Sequence, residues 1–317
     1  MTVLVTGGAG FLGSRLITAL LGGGTAHPVP DRVLCVDRVA SPLADPRVTS
    51  CVGSVTDPGF LATLADPALT TIWHMAAVLS GQSEAEPALA EEVNVGGMRA
   101  LLDMCRALPR PPRFVFASTI AVFGGPLPDV VPDDFVLRPA TTYGVTKAIA
   151  ELLLLEATRR GIVDGVAVRV PTVAVRPGAP NSAMSSFVSG IVREPLAGVD
   201  SACPVPLDTR MWVASPATTT ANLAAMGAVA GDAIGAVRTL NLPGLTVTPA
   251  DLLDALERAA GPAVRARVAL THDEAVARMM RSWPGAFDVT RALRLGLVDD
   301  ADADAIVAQF IAERASR

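Results

Sequence analysis

The sequence predicts an α/β protein with a doubly wound parallel sheet and a smaller, mostly helical lobe. Short apolar runs alternate with helical stretches through the first half of the chain, which is typical of a parallel sheet covered on both faces. A glycine-rich turn directly follows the first apolar run. The chain has 317 residues, of which 50% are hydrophobic, so it can bury one large core with a smaller lobe beside it.

The predicted strands are short runs rich in Val, Ile, Thr and aromatic residues. They are TVLVT (2–6), RVLCVD (32–37), VTSCVG (48–53), TTIWHMA (70–76), RFVFAS (113–118) and GVAVRV (165–170). The helices predicted between them cover 11–21, 58–66, 84–107 and 142–160.

The alternation of strands and helices ends near Pro171, after which segments rich in Pro, Ala and Ser begin. A further strand-like run, VRTLNLP (237–243), is expected to return to the sheet. A helix then begins with Thr248 as its cap, Pro249 in its first turn and Asp251 three residues after the cap. The rest of the chain is predicted to be mostly helical and to form a small lobe over the carboxyl-terminal edge of the sheet.

The composition argues against several classes of protein. With a net charge of −5 and scattered Arg, the chain has no basic stripe, so no nucleic-acid partner is expected. No apolar run reaches the roughly 18 residues that a membrane span needs, and the N-terminus lacks the order of a secretory signal, so we expect no membrane partner and a cytoplasmic protein. Neither a disulfide frame nor a metal site is expected, because the Cys and His residues show no ligand spacing. They are Cys35, Cys51, Cys105, Cys203, His27, His74 and His272.

The glycine-rich segment TGGAGFLG predicts a dinucleotide site. Gly7, Gly10 and Gly13 lie between a predicted strand and a predicted helix, where they allow a tight turn, close approach of backbone N–H groups to a pyrophosphate, and close helix packing. Asp37 ends the second strand, where a carboxylate meets the adenosine ribose. Its charge would repel a 2′-phosphate and so favours NAD over NADP, although Arg38 beside it could pair with such a phosphate. The alternative is an ordinary turn in which Asp37 caps the strand end.

One Tyr and one Lys, four residues apart, predict a catalytic pair. Tyr143 is the one Tyr of the chain and Lys147 the one Lys, although Phe and Arg would suffice for packing and for solvated charge. Residues four apart share a helix face, so the ammonium is expected to lower the pKa of the phenol, by roughly two to three pH units, and make it a general base. The alternative is two surface residues that happen to be neighbours.

Several motifs together resemble the extended short-chain dehydrogenases, the group that includes the NAD-dependent epimerases and dehydratases. They are TGGAGFLG, HMAA (74–77), Asn94 in VNVGG, STIAVFG (118–124) and YGVTK (143–147), in the family's order over the first 180 residues or so. The resemblance implies a Rossmann domain at 1–172 that binds NAD, with 208–242 expected to return to it. A substrate lobe is then expected from 173–207 and 243–317.

The resemblance also implies roles for individual residues. Thr119, Tyr143 and Lys147 are the expected catalytic residues, with Thr119 bonding the reacting oxygen and Lys147 the nicotinamide ribose. The residues expected to bind the cofactor are Gly7, Gly10, Phe11, Leu12, Gly13, Asp37, Arg38, Ser54, Val55, Ala76, Ala77, Asn94, Tyr143 and Lys147. Two positions depart from the family's pattern: Phe123 replaces a Tyr, and Ser54 replaces an Asp that contacts adenine.

The resemblance also bears on the substrate. The Asp-Glu pair that follows the catalytic Thr in the dehydratases is here Ile120-Ala121, and the aromatic groups that hold the base in sugar-nucleotide epimerases are hard to find. Two arginines, Arg176 and Arg210, would suit a carboxylate if they converged, but either could be a surface ion pair. The residues expected to contact the substrate are Ser80, Thr119, Tyr143, Arg176, Asn181, Ser185 and Arg210.

Long stretches are similar to the D-erythronate dehydrogenases of this family, such as VFGGPLPDVVPDD and CPVPLDTRMWVASP. That similarity implies oxidation of the C2 hydroxyl of a small sugar acid to the 2-oxo acid, with NAD as the cofactor. The alternatives are a nucleotide-sugar epimerase with tightly bound NAD and a redox-sensing regulator that binds the dinucleotide without turnover. The family resemblance further implies a homodimer, joined through helices that begin near Glu84 and Thr142.

Overall fold

A seven-stranded parallel sheet forms the centre of the molecule. The structure is a computed structural model that describes residues 1–178, 183 and 185–315. In chain order the strands of this sheet are β1 (Thr2–Thr6), β2 (Arg32–Asp37), β3 (Val48–Val52), β4 (Leu69–His74), β5 (Arg113–Thr119), β6 (Asp164–Val170) and β10 (Thr239–Asn241). Across the sheet they run β10-β6-β5-β4-β1-β2-β3. The order reverses next to β1, which confirms the predicted doubly wound α/β class.

The helices that cover this sheet follow the predicted alternation of strand and helix. They are α1 (Phe11–Gly22), α2 (Pro58–Ala62), α3 (Ser80–Ala85), α4 (Pro87–Ala90), α5 (Gly97–Cys105), α6 (Thr142–Arg159), α8 (Pro216–Met226) and α9 (Gly231–Ile234). A π-helical segment, Glu91–Gly96, joins α4 to α5, and one 3₁₀ turn, Ile120–Val122, follows β5. All five residues of β1 are buried because apolar clusters pack on both faces of the sheet.

Two predicted helices differ from the observed ones. The helix expected at 84–107 is divided, because Pro87 lacks the N–H that would continue the helix from α3, and Glu86 leaves the helical region with φ −132° and ψ 68°. The helix expected at 58–66 ends at Ala62, four residues early.

Most of the remaining elements form a second lobe with a separate apolar cluster. Its strands are β7 (Thr172–Val173), β8 (Ser201–Cys203), β9 (Met211–Ala214), β11 (Leu245–Val247) and β12 (Val268–Leu270), and its helices are α7 (Phe187–Leu196), α10 (Pro249–Ala260), α11 (Pro262–Arg265), α12 (Glu274–Ser282) and α14 (Ala303–Ala315). The helix α13 (Thr290–Arg294) lies instead beside β10, and its Ala292 belongs to an apolar cluster of the central sheet. The predicted capping box of α10 is present, since Thr248 and Asp251 exchange hydrogen bonds.

The chain crosses between the two lobes more than once. β7 joins β9 and β11 in a small sheet, whereas β10 lies at the edge of the central sheet and pairs in parallel with β6. The division into 1–172 with 208–242, and 173–207 with 243–317, stays a prediction. These crossings place the ends of the central strands beside residues from the second lobe.

Candidate active site at the carboxyl ends of the strands

A cleft of about 510 Å³ lies at the carboxyl ends of the central strands. Parallel sheets of this kind bind ligands at this edge, beside the point where the strand order reverses. The site residues expected from the sequence that line the cleft are Gly7, Gly10, Phe11, Leu12, Gly13, Asp37, Arg38, Ser54, Val55, Ala76, Ala77, Ser80, Thr119, Tyr143, Lys147, Arg176 and Ser185. Three other expected site residues are not in this set. Asn94 and Arg210 are not among the lining residues, and Asn181 lies outside the described residues.

The glycine-rich turn has no room for side chains. Gly7 has φ +67°, and a Cβ there would lie 2.8 Å from the Ala76 nitrogen. A Cβ on Gly13 would lie 2.1 Å from the Gly7 oxygen, where α1 packs against the turn. At Gly10 the nearest atom to such a Cβ would again be the Gly7 oxygen, at 3.1 Å. The turn therefore requires glycine and keeps this wall of the cleft free of side chains.

The N-terminus of α1 fits a dinucleotide pyrophosphate. α1 begins at Phe11, and its cap residue Gly10 makes no side-chain hydrogen bond to the first turn. The first N–H groups of a helix have no partner within the helix, and the helix dipole favours an anion beside them. Because Gly10, Phe11, Leu12 and Gly13 all line the cleft, the residues present fit the phosphates of NAD.

Asp37 is fixed at the end of β2, beside the glycine-rich turn. Its Oδ2 accepts a hydrogen bond from the Ala9 nitrogen at 3.0 Å and its Oδ1 accepts one from the Arg38 nitrogen at 2.7 Å. A carboxylate has about four acceptor positions, so capacity remains for ribose hydroxyls. The side chain of Arg38 is exposed on the same wall.

Two further residues expected to bind the cofactor, Ser54 and Asn94, lie in different settings. Ser54 lines the cleft, and its hydroxyl is held by Thr56, with 2.8 Å between the two side-chain oxygens. Asn94 is buried behind the cleft: its Oδ1 accepts from the Val78 nitrogen and its Nδ2 donates to the Val78 oxygen and to Thr146. Asn94 thus joins the segment after β4 to α6 and does not form part of the cleft wall.

The start of α6 presents Tyr143 and Lys147 to the cleft. Thr141 caps the helix by accepting from the Gly144 nitrogen, so the first turn is fixed where Tyr143 leaves it. Gly144 lies against the end of β5, and a Cβ there would be 2.2 Å from the Ala121 oxygen. The Lys147 Nζ lies 5.8 Å from the centroid of the Tyr143 ring, so the two side chains face each other.

Lys147 is buried and held by β5. Its side chain is 2% exposed, its Nζ donates to the Ala117 oxygen at 2.8 Å, and it lies 4.6 Å above the Phe116 ring. Burial lowers the pKa of Lys147 to about 7, and the charge of Glu151, one helical turn further on, opposes that shift. The amine is therefore close to its titration midpoint at neutral pH.

The expectation that Lys147 lowers the pKa of Tyr143 is wrong for this structure. Burial raises the pKa of Tyr143 to about 12, and the contact that lowers it is a hydrogen bond with the Thr119 side chain. A phenolate loses its hydration in a buried site, and a lysine that is only partly charged compensates weakly for that loss.

The hydroxyls of Ser118 and Thr119, neighbours at the end of β5, have different partners. The Ser118 Oγ donates to Glu151 at 2.5 Å, behind the sheet. The Thr119 Oγ1 accepts from the Ala121 nitrogen at 3.1 Å and also bonds Tyr143. Thr119 is therefore the hydroxyl of the two that faces the phenol, as the family's pattern implied.

Of the two arginines expected to converge on a carboxylate, Arg176 lines the cleft and Arg210 does not. The Arg176 guanidinium lies 5.0 Å from the centroid of the Phe11 ring and has no ion-pair partner among the described residues. Burial and the charge of Arg193 lower its pKa. Arg210 is exposed, with its stem against Gly285.

Sequence reasoning missed Trp283, Gln82 and Ser186, which also line the cleft. Trp283 caps the end of α12 and lies outside every motif quoted above, so only the folding of the second lobe brings it here. The one sequence signal for this residue is that Trp is rare, with three in the chain. Gln82 and Ser186 are common polar residues near expected site residues, and no pattern marks them.

The described residues contain neither a metal-binding cluster nor a membrane-spanning helix. No group of three or more His, Cys, Asp and Glu side chains is placed to hold a metal ion in residues 1–178, 183 and 185–315. Over the same residues, no helix combines the length and the apolar character of a membrane span.

Known proteins share this sequence and this fold. A D-erythronate dehydrogenase from Cupriavidus necator is 46% identical over 98% of this chain and 98% of its own, and one from Haemophilus influenzae is 39% identical over 98% and 99%. The crystal structure of a nucleoside-diphosphate-sugar epimerase from Agrobacterium tumefaciens matches with a TM-score of 0.94 and 34% identity, over 100% of this chain and 95% of that one. The profile of the NAD dependent epimerase/dehydratase family matches residues 3–228. The chain thus belongs to that family, the extended short-chain dehydrogenases, whose cofactor is the NAD that the cleft fits.

Proposed function

We propose that the chain is an NAD-dependent dehydrogenase that oxidises the C2 hydroxyl of a small sugar acid, such as D-erythronate, to the 2-oxo acid. The observation that carries the proposal is Arg176, a guanidinium on the cleft wall with no ion-pair partner in the described part of the chain. A planar guanidinium binds a carboxylate through paired charge-assisted hydrogen bonds. The two nearly full-length relatives that carry the name D-erythronate dehydrogenase support the same substrate.

Four residues of the cleft would each have a separate role in the reaction. Arg176 would bind the substrate carboxylate, and Thr119 would hydrogen-bond the C2 oxygen. Tyr143, after its phenol has lost a proton to solvent, would accept the hydroxyl proton as the C2 hydrogen leaves with its electron pair. Lys147 would hold the nicotinamide ribose and place positive charge near the phenolate. NAD supplies the hydride acceptor when it is bound. Burial raises the pKa of Tyr143 and lowers that of Lys147 to about 7, so kcat for oxidation should fall as the pH rises above neutral and Lys147 loses its proton.

A nucleotide-sugar epimerase is the second candidate. The Agrobacterium tumefaciens structure, which is named as such an epimerase, is 34% identical to this chain over its full length. An epimerase would use the same Tyr143 and Thr119 and would keep its NAD bound. A redox sensor is less well supported, because a sensor has no use for a facing phenol and amine.

The test is turnover with purified protein. With D-erythronate and NAD, the absorbance of reduced nicotinamide should rise. Tyr143→Phe should abolish that rise, because the phenol oxygen is used mainly in the reaction. The affinity of this variant for NAD, measured by calorimetry, should stay within about twofold of that of the unmodified protein. A panel of four- to six-carbon sugar acids with no turnover, together with conversion of a UDP-sugar, would favour the epimerase. A substantial residual rate in Tyr143→Phe would contradict its role as base.

We also propose that two copies associate through α6. Val145, Ile149, Leu152 and Leu155 form an exposed apolar stripe on this helix, with Leu152 61% exposed. Helix positions four and seven residues apart share a face, and contiguous exposed apolar surface is typical of an interface. Leu152→Glu should convert a dimer to a monomer in light scattering, whereas Leu270→Glu, at an equally exposed Leu on β12, should not. A monomeric unmodified protein would contradict the proposal.

A further inference from the structure

A buried ion pair lies behind the catalytic helix, outside the proposed reaction. Glu151 on α6 and Arg169 on β6 are 2.8 Å apart, with side chains 2% and 3% exposed. Arg169 also donates from Nε to the Glu151 Oε1 at 3.0 Å. Buried pairs of this kind often add little stability compared with apolar residues of the same volume. The pair therefore needs an explanation other than stability.

Two neighbouring strands fix the Glu151 carboxylate. Ser118 on β5 and Arg169 on β6 are partners in the parallel register, so both reach the same carboxylate from below α6. Arg169 also donates to the Asp133 oxygen at 2.7 Å and lies 4.7 Å from the centroid of the Phe123 ring, which holds the guanidinium in place. Hydrogen bonds from a hydroxyl and a guanidinium compensate for the lost hydration of the carboxylate.

The carboxylate lies one helical turn from Lys147. Positions four apart on a helix are neighbours, with their Cβ atoms roughly 5–6 Å apart. The groups that face the amine from other elements are the Phe116 ring and Ala117 oxygen of β5 and His74 of β4. His74 carries no charge at neutral pH, because burial lowers its pKa to about 3. Tyr143 is likewise neutral there, because burial raises the pKa of its phenol.

Glu151 is therefore the anionic group beside Lys147 in the part of the chain that the structure describes. An ammonium in an apolar site loses its proton unless a negative charge compensates for the lost hydration. Lys147 has little other compensation, namely one backbone oxygen and aromatic rings. Without the carboxylate, the pKa of Lys147 would fall further, and the amine would be uncharged at neutral pH.

We propose that Glu151 is a positioning residue whose carboxylate, clamped by Ser118 and Arg169, keeps Lys147 in its charged form. Its effect on turnover rests on the proposed dehydrogenase function, but its effect on Lys147 does not. Glu151 is not among the residues that line the cleft, so it contacts neither the substrate nor the cofactor. It acts through the charge of Lys147 alone.

The composition of the chain allows a direct test. Since Lys147 is the one Lys of the sequence, protein grown with ¹³Cε-labelled lysine gives one lysine signal in NMR, and its shift against pH reports the Lys147 titration without substrate or cofactor. Glu151→Gln should move the midpoint down by about one pH unit or more, since a carboxylate at this range acts through an effective dielectric of about 20. Glu156→Gln on the same helix is the matched control, because Glu156 is half exposed and should leave the midpoint unchanged.

A second variant covers the possibility that Glu151→Gln does not fold, since it leaves Arg169 buried without its partner. The double exchange Glu151→Gln with Arg169→Met removes both charges, and the midpoint should again fall, but by less than in Glu151→Gln alone, because the lost Arg169 charge had disfavoured the charged form of Lys147. An unchanged midpoint in the folded variants would overturn the proposal.

Activity gives a separate readout. In Glu151→Gln, the pH at which kcat falls on the alkaline side should move down by the same interval as the NMR midpoint. KM for the sugar acid should stay within about twofold, because the exchange affects the chemical step and not substrate binding. A merely structural role would change stability and leave both midpoints alone. If the midpoint falls but no sugar acid is oxidised, the proposed function fails and the role of Glu151 toward Lys147 stands.

Discussion

At the scale of single residues, burial dominates the electrostatics of this site. Tyr143 and Lys147 face each other, yet burial moves both pKa values toward the neutral forms, up for the phenol and down for the amine. Each shift reflects lost hydration, which a neighbour of opposite charge can offset only in part. The charge state of Lys147 therefore depends on the balance between burial and the charge of Glu151.

The cost of burying Lys147 should be measurable as stability. The pKa of Lys147 is about 7 in the folded protein and about 10.4 in an unfolded chain, so the unfolded state binds more protons between these values and stability rises with pH across that window. Lys147→Met should raise the free energy of unfolding by roughly 1–4 kcal/mol at about pH 6 and by less at about pH 10. Urea unfolding at both pH values measures this. A variant less stable than the parent at the lower pH would contradict it.

Arg176 and Arg210 should differ in their effect on substrate binding. Arg176 lines the cleft and Arg210 does not, so Arg176→Met should raise KM for a sugar acid roughly 10- to 100-fold, the loss of a hydrogen bond to a charged group. Arg210→Met should change KM less than about twofold. Steady-state kinetics on the acid and on its neutral alcohol analogue separate loss of the carboxylate contact from general damage. Equal effects of both exchanges would mean that Arg176 does not bind the carboxylate.

At the scale of elements, the site depends on how closely α6 approaches the end of β5. Gly144 permits this approach, since a Cβ there would lie 2.2 Å from the Ala121 oxygen and 2.8 Å from the Pro139 Cβ. Thr141 and Asn94 fix the same end of the helix through the Gly144 nitrogen and Thr146. The relative positions of Tyr143 and Thr119 follow from this packing.

Gly144→Ala should therefore damage both stability and activity. The backbone oxygen of Ala121 cannot move aside without shifting β5, so we expect a loss of about 2–3 kcal/mol in unfolding free energy and of most turnover. Gly22→Ala is the control, because no atom lies within 4 Å of a Cβ at that exposed helix position. It should be neutral or stabilising by up to about 1 kcal/mol. Denaturant unfolding measures the stability of both variants, and initial rates measure their turnover.

At the scale of the whole molecule, polar contacts tie α13, near the end of the chain, to the central sheet. Arg291 of α13 donates to Asp133 at 3.0 Å and to the Thr239 oxygen of β10 at 2.8 Å. Asp133 in turn accepts from the Asn241 nitrogen at 2.6 Å, and burial raises its pKa. The segment that follows Trp283 is thus joined to β10 and to the loop before α6 that contains Asp133.

Arg291→Met should destabilise the protein by about 2 kcal/mol, because it leaves a mostly buried carboxylate and several backbone oxygens without their donor. The exposed pair of Arg258 with Asp304 offers the comparison, and Arg258→Met should cost less than about 1 kcal/mol. Thermal unfolding of the two variants measures the difference. Equal losses would show that Arg291 does not hold α13 to the sheet.

The sequence alone determined the fold class and the spacing of the local motifs. Strand and helix periods, the glycines of the turn, the Thr248 cap and the four-residue interval of Tyr143 and Lys147 are properties of neighbouring residues, and backbone geometry acts on neighbours. These features are enough to indicate the family.

Only the tertiary structure decided which distant residues meet and how burial changes their chemistry. Arg176 and Arg210 are alike in sequence, but one lies on the cleft and the other in solvent. Asn94 lies behind the wall, Trp283 reaches the wall from α12, and the pKa of Tyr143 moves up instead of down. Desolvation depends on everything packed around a group, and most of those neighbours lie far away along the chain.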